Sequence, residues 1–180
     1  MTTDRRHVIA LAISSALVFA VFNLQIAAKE RLLSDDRVVL LELAPVDPRS
    51  LMQGDYMILN YAISDQAREA MLEQRGPVDE GNWDSLPTKI PFTATLDGGG
   101  VASFARLGHA PPVAPHEVLL TARAIERGWG VGAESFFFQE GQADVFAEAK
   151  YGELRVDPSG SLVLVGLRDA KREPLGPDRW

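Results

Sequence analysis

The longest apolar run lies at the start of the chain, where Val8 to Ala28 gives 21 residues without a charge. At about 1.5 Å per residue, a helix of that length crosses a hydrocarbon core of about 30 Å. Ser14, Ser15, Asn23 and Gln25 are its polar members; Asn23 and Gln25 suit the water interface, or hydrogen bonding to a partner helix. Arg5 and Arg6 precede the run, and Lys29 and Arg31 follow it among Glu30, Asp35 and Asp36, so basic charge near the two ends almost balances. A short N-terminal tail followed by a folded domain is the arrangement of an uncleaved signal anchor with its N-terminus inside. The alternative is a cleaved signal peptide with Val8 to Phe22 as its apolar region. Ile26-Ala27-Ala28 fits that poorly, because Ile26 is bulky where a small residue is expected.

Beyond a charged connector the pattern turns to short runs with strand character. Val38 to Leu43 is β-branched and apolar, ending at Pro45. Pro45 to Gly54 reads as a rigid loop, since two prolines fix φ and a Gly-Asp pair closes it. From Asp55 the alternation places Asp55, Met57, Leu59, Tyr61 and Ile63 on one face and Tyr56, Ile58, Asn60 and Ala62 on the other, predicting a strand that ends near Ile63. Ser64 to Arg75 is predicted as a helix capped by Ser64 or Asp65, with Ala67, Ala70, Met71 and Gln74 at helical spacing and Gly76 closing it. A surface loop, 77–87, follows.

Ile90 to Leu96 and Val101 to Leu107 flank Asp97-Gly98-Gly99-Gly100 as a hairpin, and Phe92, Ala94 and Leu96 define its buried face. A loop stiffened by Pro111, Pro112 and Pro115 leads to a strand from Val118 to Ile125, and Gly128 to Gly132 reads as a flexible break. Gln142 to Lys150 is predicted as a second short helix with Val145, Phe146 and Ala149 as its apolar stripe. Tyr151 to Val156 and Ser161 to Leu167 form a hairpin across Asp157-Pro158-Ser159-Gly160, whose residue types suit a type I turn. The charged, proline-rich stretch 168–180 is expected to be a flexible tail. The fold class expected is α+β: a mainly antiparallel β domain with two short helices, preceded by one N-terminal transmembrane helix.

Two blocks carry a recognisable signature. Gly54, Asp55, Tyr56, Leu59 and Tyr61 stand in the spacing G-D-Y-x-x-L-x-Y. Glu140-Gly141, a short helix, and then Tyr151, Glu153, Arg155, Val156, Asp157 and Gly160 form the second block. Together they resemble the GDYXXLXY family of bacterial membrane-anchored proteins, over most of residues 38–167. With the apolar run read as an anchor at 8–28, the expected organisation is a tail at 1–7 in the cytoplasm, a connector at 29–37 and, facing the periplasm, the GDYXXLXY-like domain at 38–167. The resemblance implies no particular reaction. Relatives of that family are commonly encoded beside multi-pass membrane proteins, which implies such a protein as the partner. Gly54, Asp55, Tyr56, Leu59, Tyr61, Glu140, Gly141, Tyr151, Arg155 and Asp157 are the candidate binding and signature residues. The expectation is that the two blocks pack together, with Asp55 accepting hydrogen bonds from backbone or from Arg155.

Composition narrows the partners. The chain is 180 residues with a formal net charge of −7; without Asp4, Arg5 and Arg6, 16 basic and 24 acidic residues remain, hence −8. Such a domain repels nucleic acid and anionic lipid surfaces, leaving lipid contact to the apolar helix. Cysteine is absent, which excludes disulfides, thiol catalysis and cysteine zinc sites.

Chemistry-bearing patterns are sparse. Glu134, Glu140, Asp144, Glu148 and Glu153 form an acidic series that reads as a solvated face. His109 and His116 lie on one loop without a third ligand for zinc. Gly98-Gly99-Gly100 has no following helix to make a phosphate cradle. An anchor followed by a proline-containing segment and Gly-Asp also resembles the opening of type I signal peptidases. Val46 stands where their serine nucleophile is expected, Ser50 is too near the turn, and neither Lys89 nor Lys150 has a base's context. No catalytic residue, metal site or cofactor is assigned. The expectation is a non-enzymatic accessory or interaction module, with a signal-peptidase-like hydrolase or its inactive relative as the alternative.

Overall fold

A computed structural model describes residues 5–33, 37–44, 56–76, 86–108, 114–126 and 128–176. The chain divides into two compact units, 1–34 and 35–180.

The first unit is one helix, α1 (Arg5–Leu33). Its segment His7–Ala27 is long and apolar enough to cross a membrane, with a mean hydropathy of 2.1 and none of it buried. Ser14 Oγ donates to the Ala10 carbonyl at 2.9 Å and Asn23 Nδ2 to the Phe19 carbonyl at 2.8 Å, so these donors are satisfied within the helix. The helix runs on to Leu33 through part of the expected connector. Ala27 to Leu33 is made of strong helix formers, and nothing in it stops the helix.

In the second unit, three antiparallel sheets and a helix enclose one core. The first sheet has the order β1 (Val38–Glu42), β8 (Tyr151–Val156), β9 (Leu162–Arg168). The second is a ribbon of β2 (Tyr56–Ile58) and β7 (Ser135–Phe137). The third has the order β4 (Ala102–Leu107), β3 (Lys89–Leu96), β5 (Glu117–Ile125), β6 (Gly128–Gly130). Leu40 N–H donates to the Gly100 carbonyl at 2.8 Å, and Leu40 and Val101 make a parallel bridge, joining the first sheet to the β3–β4 turn. Helix α2 (Ala62–Arg75) packs on β4 and touches β1, β3, β5 and β6. Val39, Leu41, Phe92, Leu120, Leu154 and Val156 lie at the centre of the core.

The α+β class and both hairpins agree with the sequence reading. Four boundaries do not. Strand β2 ends at Ile58, and the helix begins at Ala62 instead of after Ser64. Starting there puts Ile63, Ala67 and Met71 on one buried stripe, and tertiary burial outweighs the cap: Ser64 Oγ is buried with no partner among the described residues. The second helix, α3, is only Ala143–Phe146. Phe146 is held between Phe136 and Phe138, at ring distances of 5.0 and 5.2 Å, while Lys150 is already hydrogen-bonded to Leu43 and Arg168, drawing the chain into β8. Val145 is consequently exposed. Gly128-Trp129-Gly130 is a strand, paired with β5, where a flexible break was expected. Finally, 168–176 is not a loose tail. Arg168 completes β9, Pro174 bridges back to Arg168, and Leu175 N–H donates to the Leu167 carbonyl at 2.9 Å.

Candidate functional site

The signature divides by face. Gly54 and Asp55 lie outside the described residues, so the expected bond between Asp55 and Arg155 does too. From Tyr56 onward the alternation holds: Met57, Leu59 and Tyr61 are buried, while Tyr56, Ile58 and Asn60 are half-buried. Strand β2 pairs with β7 so that Met57 faces Phe136 on the core side and Tyr56 faces Phe137 on the other. Leu59 N–H then donates to the Glu134 carbonyl at 2.9 Å, and the Asn60 carbonyl accepts Ala44 N–H at 2.8 Å. Tyr61 bridges Leu43. The motif therefore stitches the ribbon to the first sheet and hands over to α2.

Tyr61 is the pivot of that joint. Its ring is 2% exposed and lies against Gly152 of β8. A Cβ built on Gly152 would sit 2.8 Å from Tyr61 Cε1 and 3.2 Å from its Oη. The hydroxyl has no partner among the described residues, and burial pushes its pKa upward, so it stays neutral. The two sequence blocks thus meet, through Tyr61 and Gly152. A lone glycine within a strand is the sequence signal for such a close backbone approach.

The other second-block residues are spread out. Glu140 and Gly141 form an exposed turn with Gly141 at φ +82°. Tyr151 opens β8 opposite Glu42 and Arg168; Arg155 lies between Val38 and Val163. Asp157 builds its turn: its Oδ1 accepts Ser159 N–H at 2.8 Å and Ser161 N–H at 3.0 Å. Partial burial opposes ionisation, but the bonds from Ser159 and Ser161 outweigh it and hold the carboxyl below its ordinary value. These residues support the fold and do not gather into one site with Tyr56.

What Tyr56 does meet is Phe137. The two rings are 5.5 Å apart and tilted by 36°, and Phe137 is 65% exposed. Beside them an open groove of about 190 Å³ is lined by Tyr56, Ile58, Asn60, Glu126, Glu134 and Ser135, among others. Phe137 was visible in the sequence only as one of three consecutive phenylalanines, with nothing to say which would face out.

Of the acidic series, Glu134, Glu140, Asp144 and Glu148 are exposed, and Glu153 pairs with Arg168 at 2.7 Å. Among the described residues no group of His, Asp or Glu is arranged to hold a metal ion. Lys89, Lys150 and His116 are exposed; Val46, Ser50 and His109 lie outside the described residues. A carboxylate the sequence reading passed over is buried: Glu117 on β5, which receives both arms of Arg106, Nη2 to Oε2 at 3.1 Å.

No curated protein and no solved structure matches the chain. A family model does, over residues 18–167, the stretch that holds the signature ribbon, the Tyr61–Gly152 joint and both hairpins. The chain is a member of the GDYXXLXY protein family.

Proposed function

We propose that this protein is a membrane-anchored interaction module, without catalysis of its own, that docks a multi-pass membrane protein through the Tyr56–Phe137 edge. In this reading α1 crosses the bacterial inner membrane with its N-terminus in the cytoplasm and the domain in the periplasm. The observation that supports it is Phe137, which is largely exposed on a two-stranded ribbon and packed at a tilt against the half-buried Tyr56 of the signature. Aromatic rings on rigid backbone make contact area at little entropic cost and are enriched where partners bind. An anchor confines the domain to the membrane surface, where an integral protein is the partner it meets most often. Asn60 and Ser135, in the adjoining groove, offer hydrogen bonds to an incoming backbone.

The test is site-specific photocrosslinking from position 137 in native membranes, with position 145 as an exposed control on α3. Crosslinking to a multi-pass protein from 137 and not from 145 supports the proposal. Equal labelling from both positions, or none from 137, refutes it.

A further inference from the structure

Three turns in the domain share one construction. In Asp97–Val101, Asp157–Ser161 and Asp169–Glu173, the aspartate N–H donates to the fifth residue's carbonyl, and its Oδ1 accepts the third and fifth N–H groups. The fourth N–H returns to the aspartate carbonyl. That fourth residue takes a left-handed backbone: φ is +81° at Gly100, +82° at Gly160 and +68° at Arg172. Glycine holds the position twice and arginine once. Arg172 is the only described non-glycine residue with positive φ, a conformation that persists in an L-residue when its surroundings require it.

The Arg172 side chain lies over Gly99, so close that a Cβ there would be 1.6 Å from Nη1, and Nη2 donates to Asp97 Oδ2 at 2.8 Å. Its carbonyl accepts Arg168 Nη1 at 2.7 Å, while Arg168 Nε bonds Glu153. Arg168 and Arg172 thereby face the same groove as Arg37, whose Nη2 donates to the Pro115 carbonyl at 3.0 Å and to that of Glu117. The groove, about 500 Å³, runs along the seam between the first and third sheets. Its described lining has three arginines, two glycines at the turn and no carboxylate. Arg168 Nη2 and Arg172 Nε and Nη1 have no hydrogen-bond partner among the described residues.

We propose that this arginine groove binds a compact oxyanion, a phosphate or carboxylate group. Guanidinium groups held by neighbouring acceptors keep their remaining N–H donors pre-set to contact such groups, and Gly99 and Gly100 present no side chain to obstruct approach. The acidic domain around the groove repels extended polyanions and anionic bilayers, so the ligand is small.

The test uses the full-length protein in a nonionic detergent, melted in inorganic phosphate or succinate and in chloride at matched ionic strength. Wild type is expected to melt progressively higher as either probe rises, as ligand linkage requires. Arg172→Gly installs the residue that the two sister turns already carry, so the turn is kept while the fork is lost. This variant is expected to lose at least half of the anion-dependent rise. No rise in wild type with either probe overturns the proposal. An equal rise in Arg172→Gly does so too, because it marks a general salt effect.

Discussion

Replacing Gly152 by alanine tests the joint between the two sequence blocks. The added methyl would stand 2.8 Å from Tyr61 Cε1, 3.2 Å from its Oη and 3.4 Å from Leu164 Cδ1. The ring has little room to retreat, being 2% exposed and set among the core residues. Overpacking a close-packed interior costs about 1–3 kcal/mol. Gly152 sits in a strand without positive φ, so alanine also recovers roughly 0.5–1 kcal/mol of backbone entropy. The net expectation is a loss of about 1–2 kcal/mol. For a domain of this size that lowers Tm by roughly 3–7 °C. The assay is thermal or urea unfolding of full-length protein in mild detergent, followed by tryptophan fluorescence. Tyr61→Leu in the Gly152→Ala background removes the clash, so the pair should cost less than the sum of the single changes. A Gly152→Ala protein as stable as wild type, or strictly additive costs, refutes the packing argument.

Other outcomes follow from the same geometry. Tyr61→Phe removes a buried hydroxyl that lacks a described partner, so stability should hold or rise; a fall of about 1–3 kcal/mol in urea unfolding would mean the hydroxyl is bonded. Arg106→Ala leaves the buried Glu117 carboxylate without its bidentate partner and should lower Tm; Glu117→Gln, which removes the charge as well, should lower it less. Arg172→Gly relieves about 1 kcal/mol of backbone strain and loses an exposed, solvent-screened ion pair to Asp97, so its Tm in chloride should stay within a few degrees of wild type. Asp157 has a folded pKa held low, so its contribution is present above the unfolded value near ~4 and is lost as pH falls through the lower folded value. Asp157→Ala should therefore flatten the acid limb of the Tm–pH curve in that window and leave its shape near neutrality unchanged.

Much of the fold was legible because its signals are local. The period-two alternation from Tyr56 to Tyr61 sorted the side chains onto two faces, though both are largely apolar and only the structure shows that the Met57 face is the buried one; Asp157-Pro158-Ser159-Gly160 announced its hairpin. What escaped was set by distant partners. Ser64 has good capping chemistry, yet the helix starts earlier because Ile63 joins Ala67 and Met71 on the buried face of α2. Val145 looked like part of an apolar stripe, but Phe146 alone finds the aromatic pocket. The third turn was missed because Arg172 occupies a position where sequence rules look for glycine. Phe137 gains its meaning only from the ladder that sets it opposite Tyr56.

Under the proposed function the signature has two jobs: Leu59 and Tyr61 hold the fold together, and Tyr56 with Phe137 meets a partner. The most direct measurement is a gentle-detergent pulldown of full-length Tyr56→Ala, Phe137→Ala and Tyr61→Ala proteins, each paired with its melting curve. Tyr56→Ala and Phe137→Ala should melt within a few degrees of wild type and lose a co-purifying multi-pass protein, whereas Tyr61→Ala should melt far lower. If the Tyr56 and Phe137 variants keep that partner, or lose it only in proportion to a collapse in Tm, the outer face is architecture as well and the proposed docking role fails.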